Sequence, residues 1–406
     1  MQKLASIEKP ISSGEKSIEL NPQDAQTWYD RGNALEAMGR FQAAIESWEK
    51  AIELEPKFPE AWYNKGVALR KLGQLQEAIA AYNEALKIQP ENPEAWYNLG
   101  NVMRKCNRFS EAIASYEKAI EFKPDYHEAW TNLGNTLANL ECFDAAIASY
   151  DKAIAIQADY CEAWYNKAFI LRKSGHNIAA IAAYDKALEQ KPEMYQAWYN
   201  RGVALADQKH YLEAIASYDK TLELWSKSPE VWNKLGTALA QIGQFEAAID
   251  SWDKALAIEP NDSETWYNRG LALANLKHFE AAIASWDKTI ELQPDNVEAW
   301  YNRAVALKKS ARFAEAIASY DQIIALQPDD PNLYYQKACV YALEKQAGDQ
   351  KNSREALAIS TRQAIENLSK AIELNPQKYR KLCKNDPKLH TIREDVRFLA
   401  LTQGRQ

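Results

Sequence analysis

Tryptophan recurs in this chain at Trp28, Trp62, Trp96, Trp130, Trp164, Trp198, Trp232, Trp266 and Trp300, each 34 residues after the last and with no insertion between them. A period held without drift marks a chain built from stacked copies of one supersecondary unit. Each copy runs close to EAWYNxGxAL…FxEAIASYDKAIELxP. With this Trp at position 4 of a unit numbered 1 to 34, nine units extend from Ala25 to Asp330.

Within a unit the apolar residues keep helical spacing. In the copy that starts at Pro59 they fall at Trp62, Ala68 and Leu69, then at Ala78, Ile79, Tyr82, Ala85 and Leu86. Steps of three and four residues predict two amphipathic helices, A over positions 1–14 and B over 18–31. The breakers agree. Of 14 glycines, seven occupy position 8 (Gly32, Gly66, Gly100, Gly134, Gly202, Gly236, Gly270) and four position 15 (Gly39, Gly73, Gly175, Gly243). At position 15 glycine ends helix A in a left-handed conformation. At position 8 it lies inside helix A and costs about 1 kcal/mol relative to alanine, so a close approach of helix B is the expected compensation. Ala168 and Ala304 take that place in two units. Prolines at position 32 stop helix B, and Asn92-Pro93, Ser228-Pro229 and Asp330-Pro331 pair an N-cap with a first-turn proline.

These residues, with Trp, Gly and Leu at positions 4, 8 and 11, Ala at 20, Tyr or Trp at 24, Ala at 27 and Pro at 32, resemble the tetratricopeptide repeat (TPR). Full units cover about three quarters of the 406 residues. The resemblance implies an all-α fold, a right-handed superhelical solenoid of antiparallel helix pairs with a C-terminal capping segment. Helices A would line a concave groove that receives a peptide or a partner's helix. The period reaches part of this independently: one hairpin cannot bury its own apolar face, so neighbours stack and the core runs along the array.

Length alone would suggest two or three globular domains, whereas the period predicts a single array. Its expected organisation is a degenerate half repeat or N-terminal cap at 1–24 and nine units at 25–330. A tenth unit follows at 331–376, with an insertion near 345–358, and then capping helices at 377–406. Short helices are expected near Gln377–Lys384 and Lys388–Leu401.

Composition narrows the function. With 49 Lys+Arg against 56 Asp+Glu the net charge is −7, which argues against a protein that coats nucleic acid or anionic membrane. Apolar residues, at 47%, exclude wholesale disorder. Five cysteines with no C-x-x-C pair fit a reducing compartment. The first residues lack an apolar h-region and no run of 18 apolar residues occurs, so the expectation is a cytoplasmic protein with no membrane insertion.

A non-catalytic chain with no cofactor and no metal is expected. The phosphate-cradling, nucleophile-elbow and zinc-helix motifs are all missing. Cys142, His176, His210 and His278 share position 16, the A–B turn, in different units. Zinc ligands must lie about 2.1–2.3 Å from the metal, while packed helices stand about 8–10 Å apart, so equivalent turns cannot share one ion.

By analogy with the family, positions 2, 5, 6, 9, 12 and 13 of helix A face the groove. Position 6 carries Asn64, Asn98, Asn132, Asn166, Asn200, Asn268 and Asn302. An amide offers a donor and an acceptor together, which suits an extended peptide backbone, and a similar ladder holds substrate peptides in the TPR arm of O-linked N-acetylglucosamine transferase. Hydrogen bonding between neighbouring helices explains the same residues equally well. Position 5 presents Tyr63, Tyr97, Tyr165 and Tyr199 among others, either as stacking surfaces or as groove wall. The carboxylate clamp that grips chaperone tails has Lys there, so a chaperone tail is disfavoured. Positions 12 and 13 hold Arg70-Lys71, Arg104-Lys105 and Arg172-Lys173, but Ala138-Asn139 and Ala274-Asn275 elsewhere. Cations in a last helical turn complement the helix dipole, yet one would suffice.

The expected function is a protein–protein interaction scaffold or adaptor that binds an extended peptide or helix, with the basic pairs favouring an acidic segment. Glutamates at position 2 would repel nucleic acid. The alternative is a substrate-selecting or regulatory arm of an enzyme such as a glycosyltransferase or kinase. Self-association stays open.

Overall fold

The computed structural model describes residues 22–348 and 354–403. Most of the expected N-terminal half repeat and the middle of the expected insertion lie outside the described residues. Among the described residues every regular element is helical. Contacts divide the chain into two bodies, Met1–Gln208 and Lys209–Gln406.

The first body alternates helices of 13 and 14 residues, beginning with Ala25–Ala37 and Phe41–Leu54. It continues through Pro59–Lys71, Leu75–Ile88, Pro93–Lys105, Phe109–Phe122, His127–Asn139, Phe143–Ile156, Cys161–Lys173 and Asn177–Gln190 to Tyr195–Asp207. Helix A thus covers positions 1–13 and helix B 17–30. The short turn between them requires a left-handed residue at position 15. Gly39 (φ 73°), Gly73 and Gly175 supply it cheaply, but Asn107 and Glu141 adopt it too, at φ 57° and 59°. The turn geometry is therefore the constant and glycine only its cheapest occupant.

Helices A and B meet at position 8. A Cβ placed on Gly100 would lie 2.7 Å from Tyr116 Cε1, and one on Gly134 2.6 Å from Tyr150 Cε1. The ring at position 24 therefore rests directly on the backbone of helix A, which is the close approach that offsets the helix-weakening glycine. Tyr116 and its neighbours Ala112 and Ala119 are fully buried. Burying such an aromatic contributes about 1.5–3 kcal/mol in each unit.

The periodic tryptophan has a different task. Trp96 Nε1 donates to Pro90 O at 2.7 Å and Trp130 Nε1 to Pro124 O at 3.1 Å. Each half-buried indole thus fastens helix A to the loop that ends the preceding helix B. Proline at position 32 still has its carbonyl to give, although it has no N–H. A cation at position 7 makes a second joint, reaching the position 25 acid of the preceding helix B: Lys65 to Glu49 at 2.8 Å, Arg201 to Asp185 at 2.6 Å. Leu99 and Leu133 stand at position 7 in two units and are buried instead.

The second body opens with Tyr211–Leu224 and continues through Pro229–Gln241, Phe245–Ile258, Ser263–Asn275, Phe279–Leu292, Val297–Lys309 and Phe313–Leu326. The next two helices, Pro331–Gly348 and Arg354–Leu374, have 18 and 21 residues. The described part of the insertion thus lengthens both helices of a pair. Helix Pro376–Asn385 follows, then a 3-10 turn at Pro387–Ile392 and helix Val396–Gln403. The helix expected over Lys388–Leu401 is split, because Asp386 caps the 3-10 turn through Lys388 N (2.9 Å) and Asp395 N closes on Ile392 O (3.2 Å). This tail crosses helix Pro331–Gly348, where Thr391 Oγ1 donates to Ala342 O at 3.1 Å and Lys345 Nζ to Thr391 O at 2.7 Å. Leu389 and Ile392 join Tyr335, Cys339 and Cys383 in the core beneath it.

Candidate binding groove

Six of the seven asparagines at position 6 give a side-chain donor to the preceding unit, and Asn200 gives another to Gln196 O of its own helix at 2.9 Å. Asn64 Nδ2 donates to Tyr29 Oη (3.1 Å) and Asn33 Oδ1 (3.0 Å), and Asn132 Nδ2 to Tyr97 Oη (3.0 Å) and Asn101 Oδ1 (2.9 Å). Asn98 reaches Tyr63 Oη at 2.9 Å, Asn166 reaches Asn135 Oδ1 at 3.0 Å, and Asn200, itself buried, reaches Tyr165 Oη at 3.2 Å. In the second body Asn302 Nδ2 donates to Tyr267 Oη at 3.1 Å, and Asn268 lines a cavity. With both N–H groups committed, Asn64 and Asn132 have only their carbonyl oxygens to turn toward a ligand. The position 5 tyrosines are the partners in this stitching: Tyr63, Tyr97 and Tyr165 each accept one such bond, and Tyr199 is half-buried at the same position.

The basic pairs divide into two roles. Lysine at position 13 turns to the preceding unit, where Lys71 pairs with Glu36 at 2.9 Å and lies 4.9 Å from the Phe41 ring centroid. Lys173 does the same with Glu141 at 3.8 Å and Phe143 at 5.1 Å, while Lys105 is exposed. Arginine at position 12 leans inward over the buried tyrosine of its own unit. Burial pushes the Tyr82, Tyr116 and Tyr184 hydroxyls up, Tyr116 to about 12, and Arg70, Arg104 and Arg172 oppose the rise. Arg70 Nε, Arg104 Nε and Arg172 Nε are shielded from solvent with no hydrogen-bond partner among the described residues.

Two cavities open along this row in the first body. One, of about 490 Å³, is lined by Arg70, Tyr97, Asn101, Arg104, Lys105, Glu128 and Asn132, with Tyr160 and Glu162. The other, of about 470 Å³, includes Arg104, Asn132, Asn135, Asn139, Tyr150, Glu162, Asn166, Phe169 and Lys173. Arg172 lies 5.7 Å from the Phe169 ring centroid. The structure therefore brings Arg70, Arg104, Lys105, Asn132, Asn166, Tyr97 and Lys173 together on one trough. Burial raises the Tyr63 and Tyr165 hydroxyls as well, and Glu94 adds to the effect at Tyr63. In the second body the corresponding cavities measure about 220 and 210 Å³ and have Ala274 and Ala240 in place of arginine.

Asn101, Asn135 and Phe169 at position 9, and Tyr160 just before helix A, were not singled out by sequence reasoning. Position 9 varies from unit to unit, so it carries no periodic signal; only its place on the groove face pointed to it. No three of the described His, Cys, Asp and Glu side chains are gathered as a metal site, and no helix among the described residues is long and apolar enough to cross a membrane.

Family comparison gives one answer along the chain. Models described as tetratricopeptide repeat match residues 29–93, 165–229 and 271–331, residues 69–140 and residues 127–160, and one described as TPR repeat matches 236–277. Among solved structures, the C-terminal part of a TPR repeat-containing protein from Cytophaga hutchinsonii is 20% identical, over 57% of this chain and 95% of that one, with a TM-score of 0.51. YrrB, a TPR protein with an unusual peptide-binding site, is 26% identical over 45% of this chain and 95% of its own, with a TM-score of 0.42. MamA is 30% identical over 40% of this chain and 95% of its own, with a TM-score of 0.39. No curated protein matches. The chain belongs to the tetratricopeptide repeat family.

Proposed function

We propose that the trough of the first body, from Arg70 to Lys173, binds an extended segment of a partner protein that carries acidic side chains. Tetratricopeptide repeats are generally non-catalytic interaction modules, and the matches along this chain support a protein-interaction scaffold. The observation that carries the finer reading is the row Arg70, Arg104 and Arg172. Each guanidinium is half-buried with an unpaired Nε, and none of the three forms an ion pair among the described residues. The Nε atoms are closed to a ligand as they are to water, so the terminal nitrogens of these guanidinium groups are what a ligand carboxylate would meet. Hydrogen bonds to charged groups contribute about 1.5–3 kcal/mol each. Two or three of them, with some apolar burial against Phe169, reach micromolar affinity, about −8 kcal/mol.

The test is capture of partners from a lysate by the purified chain, followed by direct titration with Arg104→Glu. Charge reversal should weaken binding at least tenfold, about 1.4 kcal/mol. Affinity should also fall as salt shortens the screening length below about 8–10 Å. Binding indifferent both to Arg104→Glu and to salt would mean that the trough is not the binding surface.

A further inference from the structure

The second body contains an occupied version of a contact that the first leaves open. In its last unit, Tyr335 at position 5 donates its phenolic O–H to the carboxylate of Asp386, which belongs to the tail. Lys388 N donates to the other carboxylate oxygen at 2.9 Å. Lys308, at position 12 of the preceding unit, is half-buried and donates to Gln336 Oε1 at 3.5 Å, with Asp386 acting on its charge from farther off, and Cys339 at position 9 is buried in the same core as Tyr335. An acidic side chain thus takes the O–H of a position 5 tyrosine, in a unit whose position 9 residue shares the tyrosine's core and whose neighbour supplies a position 12 cation.

The same three corners in the first body are Arg70, Tyr97 and Asn101, which line one cavity of about 490 Å³. Their hydrogen-bond inventory leaves donors to spare. Asn132 gives one N–H to Tyr97 Oη and the other to Asn101 Oδ1, and Tyr116 Oη gives its proton to Asn101 Oδ1 at 2.8 Å. What Tyr97 and Asn101 still have to give is a phenolic O–H and the two amide N–H groups, none with an acceptor among the described residues. Beside them stands the Arg70 guanidinium, which also acts on the buried Tyr82 hydroxyl and whose Nε has no hydrogen-bond partner among the described residues. Donors that line one cavity and lack an acceptor fit an anion.

We infer that Arg70, Tyr97 and Asn101 form a seat for one carboxylate side chain, an aspartate or glutamate within the bound segment. The inference rests on the groove reading above and names its anchor. Elsewhere in the first body at least one corner is missing: Thr131 replaces the tyrosine after Arg104, and Val203 takes position 9 in the unit after Arg172. Glu128 and Glu162 line the same cavity, so a run of acids is repelled and a single acid among neutral or basic residues is favoured. Asp386 itself lies between Lys384 and Lys388 in sequence.

The experiment is an array of short random peptides, blocked at both ends, probed with the full chain. The strongest binders are then remade with each acid changed to its amide. One such change should weaken binding about tenfold to a hundredfold, as should Arg70→Gln and Tyr97→Phe in the chain, with the peptide and chain changes not additive. The peptide arm needs no altered chain, so a variant that folds poorly leaves the test intact. Phe169→Asp, in the trough but outside the seat, separates the two readings. If binding responds to Phe169→Asp but not to Arg70→Gln or to loss of the acid, the seat is wrong and the groove stands. If only peptides with a free C-terminal carboxylate bind, the side-chain seat is likewise wrong. If no binder responds to any of the three variants, both readings fail.

Discussion

Asn98 Nδ2 lies 2.9 Å from Tyr63 Oη, a hydrogen bond that joins one helix A to the next across 35 residues of sequence. A bond of this kind contributes about 0.5–1.5 kcal/mol net, and leaving one partner behind adds a desolvation cost. Asn98→Ala and Tyr63→Phe should therefore each destabilise the fold by about 1 kcal/mol. The double variant should lose less than the sum, which chemical denaturation of all four proteins would measure.

The left-handed turn residue offers a gain in stability. Ala311 holds φ 58° at a position where Gly243 holds φ 79°. Left-handed backbone costs a residue with a Cβ about 1–2 kcal/mol, whereas glycine's extra freedom when unfolded costs about 0.4–1 kcal/mol. Ala311→Gly should stabilise by about 0.5–1 kcal/mol, read as a higher denaturation midpoint at unchanged slope.

The period and its breakers made the hairpin legible in the sequence, down to the glycine that admits the Tyr116 ring. What they could not show is which neighbour a side chain meets. Tryptophan at position 4 and asparagine at position 6 both turn to the preceding unit, the first to a loop carbonyl six residues back and the second to a tyrosine 35 residues back. Neither separation is a helical or strand spacing. The seat at Arg70, Tyr97 and Asn101 was hidden for the same reason, since its corners come from two units and one of them varies along the array. The tail was the least legible: the helical pattern of Lys388–Leu401 is divided between a 3-10 turn that Asp386 caps and a helix that starts at Val396, with Asp395 N closing on Ile392 O between them.

Tail docking should depend on acid. Burial alone would raise the Asp386 carboxyl, but the hydrogen bonds from Tyr335 and the Lys388 N–H outweigh it and hold the group below its ordinary value of 3.8. A carboxyl with a depressed folded pKa stabilises fully above its ordinary value and loses that contribution as pH falls through the depressed one. Amide exchange at Leu389–Ile392 should therefore accelerate as pH drops below 3.8, after correction for intrinsic rates. Asp386→Asn should show fast exchange at every pH; equal protection in the variant would mean that the carboxylate does not hold the tail.

The cysteines should report the same region. Burial pushes the Cys339 and Cys383 thiols up to about 12, while Cys142 is exposed. Near pH 8, about where an ordinary thiol ionises, an alkylating reagent should modify Cys142 in the folded protein. Cys339 and Cys383 should react only in denaturant. Mass spectrometry of peptides after timed labelling distinguishes the sites.

The joints between units are nearly interchangeable. Lys65–Glu49, Lys167–Asp151 and Arg201–Asp185 in the first body repeat as Arg269–Asp253, Arg303–Asp287 and Lys337–Asp321 in the second. A chain of wholly identical joints would have no means of counting. A unit docked one place out of turn would find the same bonds waiting, and assembly would stall among misordered states of equal energy. Leucine at 99, 133 and 235 breaks that degeneracy, because these joints have no cation to offer, and before Leu99 the acid is missing too, replaced by Asn83. The irregular positions act as serial numbers on otherwise identical parts.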